Sequence, residues 1–199
     1  MPASIGWSIV LIVVGVDAIA PSHAMHVRCQ LASPTPRRSA VIAAKADFSG
    51  EWEMDLGASD ALGPTLRTLG INRVLAALIA RLSVKQSITQ DDDALRIMVK
   101  TSISESEIAL RFDGTTTRTP GIGGGMTATV SRWLDDEQLE TRQALSEDDG
   151  PPDEATGDAF VTVRSLLEGG SMLQEDVTVV RQGRAVPGAS AKRRLRRLG

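Results

Sequence analysis

The stretch "DFSGEWEMDL", Asp47 to Leu56, decides how the rest of the chain is read. Phe48, Gly50 and Trp52 occupy every second position ahead of an alternating run, the period of a β-strand. Either these three residues form a working site, or they open a fold whose work is done elsewhere. The pattern downstream favours the second reading.

After this strand, "ASDALGPTLRTLGINRVLAALIARL" is the only helical stretch of the domain. Ser59 or Asp60 is expected to cap a first short helix, Pro64 suits its opening turn, and Gly70 supplies the stop. Asn72 is expected to cap a second helix in which Leu75, Leu78, Ile79 and Leu82 recur at helical spacing, and such a stripe should lie on apolar surface. From Ser83 onward the chain alternates with period two. Leu95, Ile97 and Val99 share one face, and so do Ile108, Leu110 and Phe112. Asp91 to Asp93, Asp113-Gly114, Asp135-Asp136 and Gly169-Gly170 fall between the runs, where hairpin turns need Gly or Asp. Strands are predicted near 50–56, 84–90, 94–101, 105–112, 114–118, 126–133, 137–145, 159–167, 171–181 and 190–197, about ten in all. A long meander of short strands is stable when its edges are closed. The predicted fold is therefore all-β, a closed up-and-down antiparallel β-barrel with a short helix-turn-helix after the first strand. Barrels wide enough to hold a ligand begin at about eight strands. "SEDDGPPDEATGD", residues 146–158, reads as an acidic, Pro-rich insertion.

Upstream, "IGWSIVLIVVGV" (Ile5 to Val16) is an apolar run of about a dozen residues, close to a signal-peptide core and short of the ~20 of a spanning helix. Small-x-small sites end at Ala20 and Ala24, so residues 1–24 read as a signal-like leader, with an uncleaved membrane anchor as the alternative. Residues 25–46 carry Arg28, Arg37, Arg38 and Lys45 and no acid, the composition of a transit peptide; a disordered secreted spacer fits as well. Together the two segments resemble the bipartite leaders of plastids bounded by extra membranes. Targeting through the secretory pathway to a plastid is the expectation, with secretion or membrane anchoring as alternatives. The folded domain is expected to span 47–199.

Composition excludes several function classes. A net charge of −3 and pI near 5.5 do not suit a protein that coats nucleic acid. The lone cysteine, Cys29, excludes an intramolecular disulfide and a multi-cysteine zinc site. Both histidines, His23 and His26, precede the domain, and the chain has no Tyr, so a histidine proton shuttle is not expected. "PGIGGGM" (Pro120 to Met126) lacks the Gly-Lys-Ser/Thr ending of a phosphate loop and precedes a strand, so it reads as a turn. The Asp91 to Asp93 triplet matches no calcium loop. No nucleophile elbow, His-Glu-x-x-His or Cys-x-x-Cys is present, which favours a binder over an enzyme.

A strand carrying Phe-x-Gly-x-Trp, two short helices and a meander of about nine more strands resembles the fatty-acid-binding-protein family and its lipocalin-like relatives in the calycin superfamily. The resemblance spans most of Asp47 to Gly199. It implies that the helix pair, with Leu75, Leu78, Ile79 and Leu82, is a lid over one end of the barrel. It also implies that Phe48, Gly50 and Trp52 close the other end, and that the cavity between holds a fatty acid, retinoid or similar amphiphile. "TVRSLLEGGSM" looks like the family's Val-Arg-x-Leu strand and maps its inner arginine onto Arg164. A guanidinium matches a carboxylate with two donors and keeps its charge when buried, although an outward Arg on the barrel wall is the alternative. In "AKRRLRRL", Arg194 and Arg196 fall at the spacing of the family's Arg-x-Tyr pair, with Arg in place of Tyr. Residues 190–199 are thus a basic last strand or a free tail contacting membranes or nucleic acid. Arg142, in "LETRQAL", is a further ligand candidate, and Trp133 is assigned to a barrel wall.

The expected function is intracellular-type lipid binding: a fatty acid or similar hydrophobic carboxylate held inside the barrel of a monomer, without enzymatic activity, cofactor, metal or nucleic-acid partner. Two alternatives stay open. One is an isomerase or dehydratase acting on a lipid or pigment, which needs a carboxylate inside the cavity. The other is an interaction protein held at a membrane by the leader and the basic tail.

Overall fold

The computed structural model describes residues 45–122, 125–153 and 157–199; the leader and residues 25–44 of the transit-like segment lie outside them. Strand β1 (Gly50–Met54) leads into helices α1 (Gly63–Thr68) and α2 (Arg73–Ile79). Nine strands follow: β2 (Val84–Gln90), β3 (Ala94–Thr101), β4 (Glu105–Arg111), β5 (Thr117–Pro120), β6 (Met126–Trp133), β7 (Gln138–Ala144), β8 (Ala159–Leu167), β9 (Met172–Arg181) and β10 (Arg184–Arg197). All ten form one antiparallel sheet in the order β4-β3-β2-β1-β10-β9-β8-β7-β6-β5. Residues 190–197 belong to β10, paired with β9 and, over its last turn-ward residues, with β1.

The expected closed barrel is not a closed ladder. β4 and β5 stand at the two ends of the order, and among the described residues the backbone pairing across the gap is one bridge, from Asp113 just past β4 to Arg132 of β6. The cause is local. The Asp113 carboxylate accepts from the Thr115 N–H (3.0 Å) and hydroxyl (2.6 Å), which ties the chain into a turn where a ladder would continue. β5 is only four residues long and ends on Pro120, which has no N–H to donate.

The core sits at the end of the sheet where β1 begins. Trp52 and Phe48 are fully buried, and the Trp52 indole N–H donates to the Phe48 carbonyl at 2.9 Å. Trp133 stacks on Phe48 with 5.8 Å between centroids, so it belongs to this floor as well as to the β6 wall assigned to it. The segment ahead of β1 crosses that floor: the Ala46 N–H donates to the Asp136 carbonyl, and Gln90 bonds the backbone of both Ala46 and Phe48. Arg197 lies over the Trp52 ring at 4.5 Å. Gly50, at φ +138°, makes room for it, since a β-carbon there would come within 3.1 Å of the Arg197 Nη1.

The helices depart from expectation in two ways. Asn72 caps α2 by accepting from the Leu75 N–H, but neither Ser59 nor Asp60 caps α1, whose N-cap is Leu62. Ser59 and Asp60 accept instead from the backbone N–H groups of Arg194 and Lys192. They extend the cover of β10 where β1 has ended, and unpaired strand N–H groups need acceptors more than one short helix needs a cap. The apolar stripe of α2 is also not buried: Leu78 is 55% exposed and Leu75 39%, while the fully covered residue is Ala76. Ile79 and Leu82 are half-buried. A helix of two turns meets its support through one small side chain, which leaves its longer ones in solvent.

Candidate functional site

The inner face of the rolled sheet surrounds a cavity of about 260 Å³, lined by residues of β2–β5 and β7–β10. Its walls are chemically unequal. Ile97, Val99, Ile108 and Leu110 make the β3–β4 side apolar, whereas Arg164, Glu175 and Arg193 on β8, β9 and β10 make the opposite side charged. Register explains how these three meet: Arg164 is the direct neighbour of Glu175 on β9, and Glu175 is in turn the direct neighbour of Arg193 on β10. They stand on one rung, side by side.

Glu175 is the centre of the cluster and is 1% exposed. Its Oε1 accepts from the Arg164 Nε at 3.1 Å and from the Gln86 amide nitrogen at 3.4 Å, and its Oε2 faces the Arg193 Nη1 at 3.1 Å. Arg164, itself 7% exposed, also donates to the Thr141 hydroxyl at 3.1 Å. Burial pushes the Glu175 carboxyl upward, but the fields of Arg193 and Arg164 outweigh it and hold the group below the usual carboxylate range. The Arg164 guanidinium is lowered from its ordinary value by burial, which the neighbouring Glu175 opposes and Arg193 reinforces. The two partners of the pair are not symmetric, because the anion has two cations and Arg164 has one anion and one cation. Two guanidiniums against one buried carboxylate leave an excess positive charge on the cavity wall. Such a charge is costly unless an anion joins it.

A polar seam continues from this cluster. The Ser131 hydroxyl donates to Thr141, which already accepts from Arg164, so the Thr141 hydroxyl keeps its own proton for another acceptor. Gln143 donates to Thr119 and to the Pro120 carbonyl at 2.9 Å each. A second, smaller cavity of about 80 Å³ is lined by Leu69 and Ile71, at the joint of the helices, with Ile122, Leu145 and Phe160. Among the described residues no group of three or more His, Cys, Asp or Glu could hold a metal ion, and no helix is long and apolar enough to cross a membrane.

No family model matches the chain, and no curated protein matches it by sequence. Solved structures do match by shape. A Schistosoma mansoni fatty acid binding protein in complex with arachidonic acid superposes with a TM-score of 0.60 at 17% identity, covering 76% of this chain and 96% of that one. Echinococcus granulosus fatty-acid-binding protein 1 gives 0.59 at 12% identity, covering 76% and 98%. The chain has the fatty-acid-binding-protein fold. A mutant of the fluorescent protein UnaG also matches, at 0.60 with 16% identity over 76% of this chain and 96% of its own.

Within this fatty-acid-binding-protein fold, the four arginines singled out from the sequence do not share one place. Arg164 lines the cavity. Arg196 is on the outer face, 70% exposed at its side chain and paired with Asp55 at 2.6 Å. Arg194 shares its parity, half-buried on the outer side, where its backbone binds Ser59 and Asp55. Arg142 is likewise outside the cavity lining, near Glu140 and the Asp153 carbonyl. The cavity residue of β10 is Arg193, one position away, and it was missed. Its parity was legible: Ala189, Ala191 and Leu195 are the buried residues of β10, and Arg193 alternates with them. Glu175 was missed too, although it alternates with Leu173, Val177 and Val179 on an apolar face. A charged residue on such a face is the signal of a paired interior charge.

Proposed function

We propose that the protein binds a single amphipathic carboxylate, a fatty acid or a similar hydrophobic acid, within the 260 Å³ cavity. The observation that carries this reading is the uncompensated positive charge of the Arg164–Glu175–Arg193 rung opposite an apolar wall. A carboxylate head would face the two guanidiniums and the Thr141 hydroxyl, supplying the missing negative charge. Its chain would lie along Ile97, Val99, Ile108 and Leu110, with about 0.8 kcal/mol gained per methylene removed from water. In the bound state the helix pair would serve as the lid beside the smaller cavity. The names of the matched proteins, a fatty acid binding protein with arachidonic acid among them, favour the same ligand class.

An isomerase or dehydratase would need a carboxylate in the cavity, and Glu175 is one. Its proton affinity is suppressed by two guanidiniums, however, which makes it a weak base at neutral pH and speaks for binding rather than catalysis. The test is a titration of the purified protein with a fluorescent fatty acid. Saturable binding that weakens at least roughly tenfold in Arg164→Leu is expected, the loss of one charge-assisted hydrogen bond. Absence of saturable binding for acids of any chain length sinks the proposal.

A further inference from the structure

Resting on that reading, we propose that the ligand is a hydroxy acid: its head carries a hydrogen-bond donor beside the carboxylate, received by Gln86. Gln86 is 3% exposed on β2, lines the cavity, and gives its amide nitrogen to Glu175. That contact determines which way the amide faces, because turning it over would bring two acceptors together. The Gln86 Oε1 is then left buried with no protein donor. The Glu175 Oε2, by contrast, has the Arg193 Nη1 at 3.1 Å.

A buried acceptor with no protein donor, on a side chain that touches the carboxylate of the rung, does not match a plain carboxylate, which brings only acceptors. The rung thus presents two kinds of surface. The guanidiniums and Thr141 seek an anion, while Gln86 Oε1 seeks an O–H or N–H. Both surfaces are reached from one Glu175 carboxylate, so the donor must sit within a bond or two of the ligand's own carboxylate. An acid hydroxylated on the α or β carbon meets both demands. A site built to bond a substrate hydroxyl discriminates against the analogue that lacks it, because its polar groups are then stranded.

The experiment displaces a fluorescent fatty acid from the full protein with dodecanoic acid, its α-hydroxy and β-hydroxy derivatives, and dodecanol. One hydroxy acid is expected to bind roughly tenfold or more tightly than dodecanoic acid, the worth of a hydrogen bond to a charged group. In Gln86→Leu that preference should disappear, the two acids converging in affinity. If dodecanoic acid binds as tightly as both hydroxy acids, the donor proposal is overturned while carboxylate binding stands. If dodecanol binds and none of the acids does, carboxylate binding fails and this proposal with it. Persistence of the preference in Gln86→Leu also overturns it. The wild-type comparison decides by itself should that variant not fold.

Discussion

Glu175→Gln separates what the buried carboxylate does for the fold from what it does to the ligand. In the wild type one carboxylate with 1% exposure touches two guanidiniums at 3.1 Å each. The amide keeps the shape and an acceptor oxygen but removes the charge, leaving Arg164 and Arg193 side by side without a counter-ion. Breaking a buried ion pair costs about 3–5 kcal/mol, and the retained acceptor puts this case near 3. For a domain of this size each kcal/mol moves Tm by about 2–4 °C, so a fall of roughly 6–12 °C is expected in the free protein. The excess cavity charge rises from one to two, so an anionic ligand should gain affinity by at least about tenfold, a fraction of the Coulomb energy of a nearby pair at an effective dielectric of ~20. Differential scanning calorimetry with and without a saturating fatty acid reads both effects: lower Tm alone, and a larger ligand-induced rise than in the wild type. A variant as stable as the wild type, with no larger rise on adding ligand, would refute the view that Glu175 is the cluster's internal counter-ion.

Three further outcomes follow from the geometry. Because the folded protein holds the Glu175 carboxyl below its unfolded value near ~4.3, its stabilisation is complete above that pH and is lost as pH falls through the folded value; an acid series of melting temperatures should decline below about pH 4 in the wild type and less steeply in Glu175→Gln. Gly50→Ala should cost about 1–3 kcal/mol in urea denaturation, since it strains a backbone at φ +138° and crowds Arg197 above Trp52; an unchanged midpoint would mean the floor tolerates a β-carbon. Arg196→Ala, breaking an exposed pair with Asp55, should leave fatty-acid affinity unaltered, whereas Arg193→Leu should weaken it roughly tenfold or more in the same titration; the reverse pattern would restore the outer arginines as the ligand anchor.

Local patterns were read well where a single strand or turn carried the whole signal. The spans 84–90, 94–101, 126–133 and 159–167 coincide with β2, β3, β6 and β8 to the residue. β5 was expected at 114–118 and lies at Thr117–Pro120, because Asp113 holds Gly114 and Thr115 in a turn. In β8 both parities are apolar, Ala159, Val161 and Val163 on one side and Phe160 and Leu166 on the other, so alternation by itself left the direction of Arg164 undecided. In β10 the two-residue spacing of the family motif points to Arg194 and Arg196 on the outer face, whereas parity with Leu195 points to Arg193. Pro187 and Gly188 add to the difficulty, since the β9–β10 register shifts between Ala185 and Ser190 and parity cannot be carried across.

From the sequence alone came the number and order of the strands and the place of the two helices, because each rests on a period or a turn a few residues long; that Phe48 and Trp52 close one end came only as what the family resemblance implies. The tertiary structure alone decided that Gln86 meets Glu175, 89 positions away, and that Arg164 and Arg193 share that carboxylate. It also decided that the β4 and β5 edges meet without a ladder and that the leucines of α2 stay in solvent. Alternation tells which face of a strand turns inward, but the curl and tilt of the whole sheet determine which inward residues come within 3 to 4 Å of one another, and the candidate binding chemistry lies in those encounters.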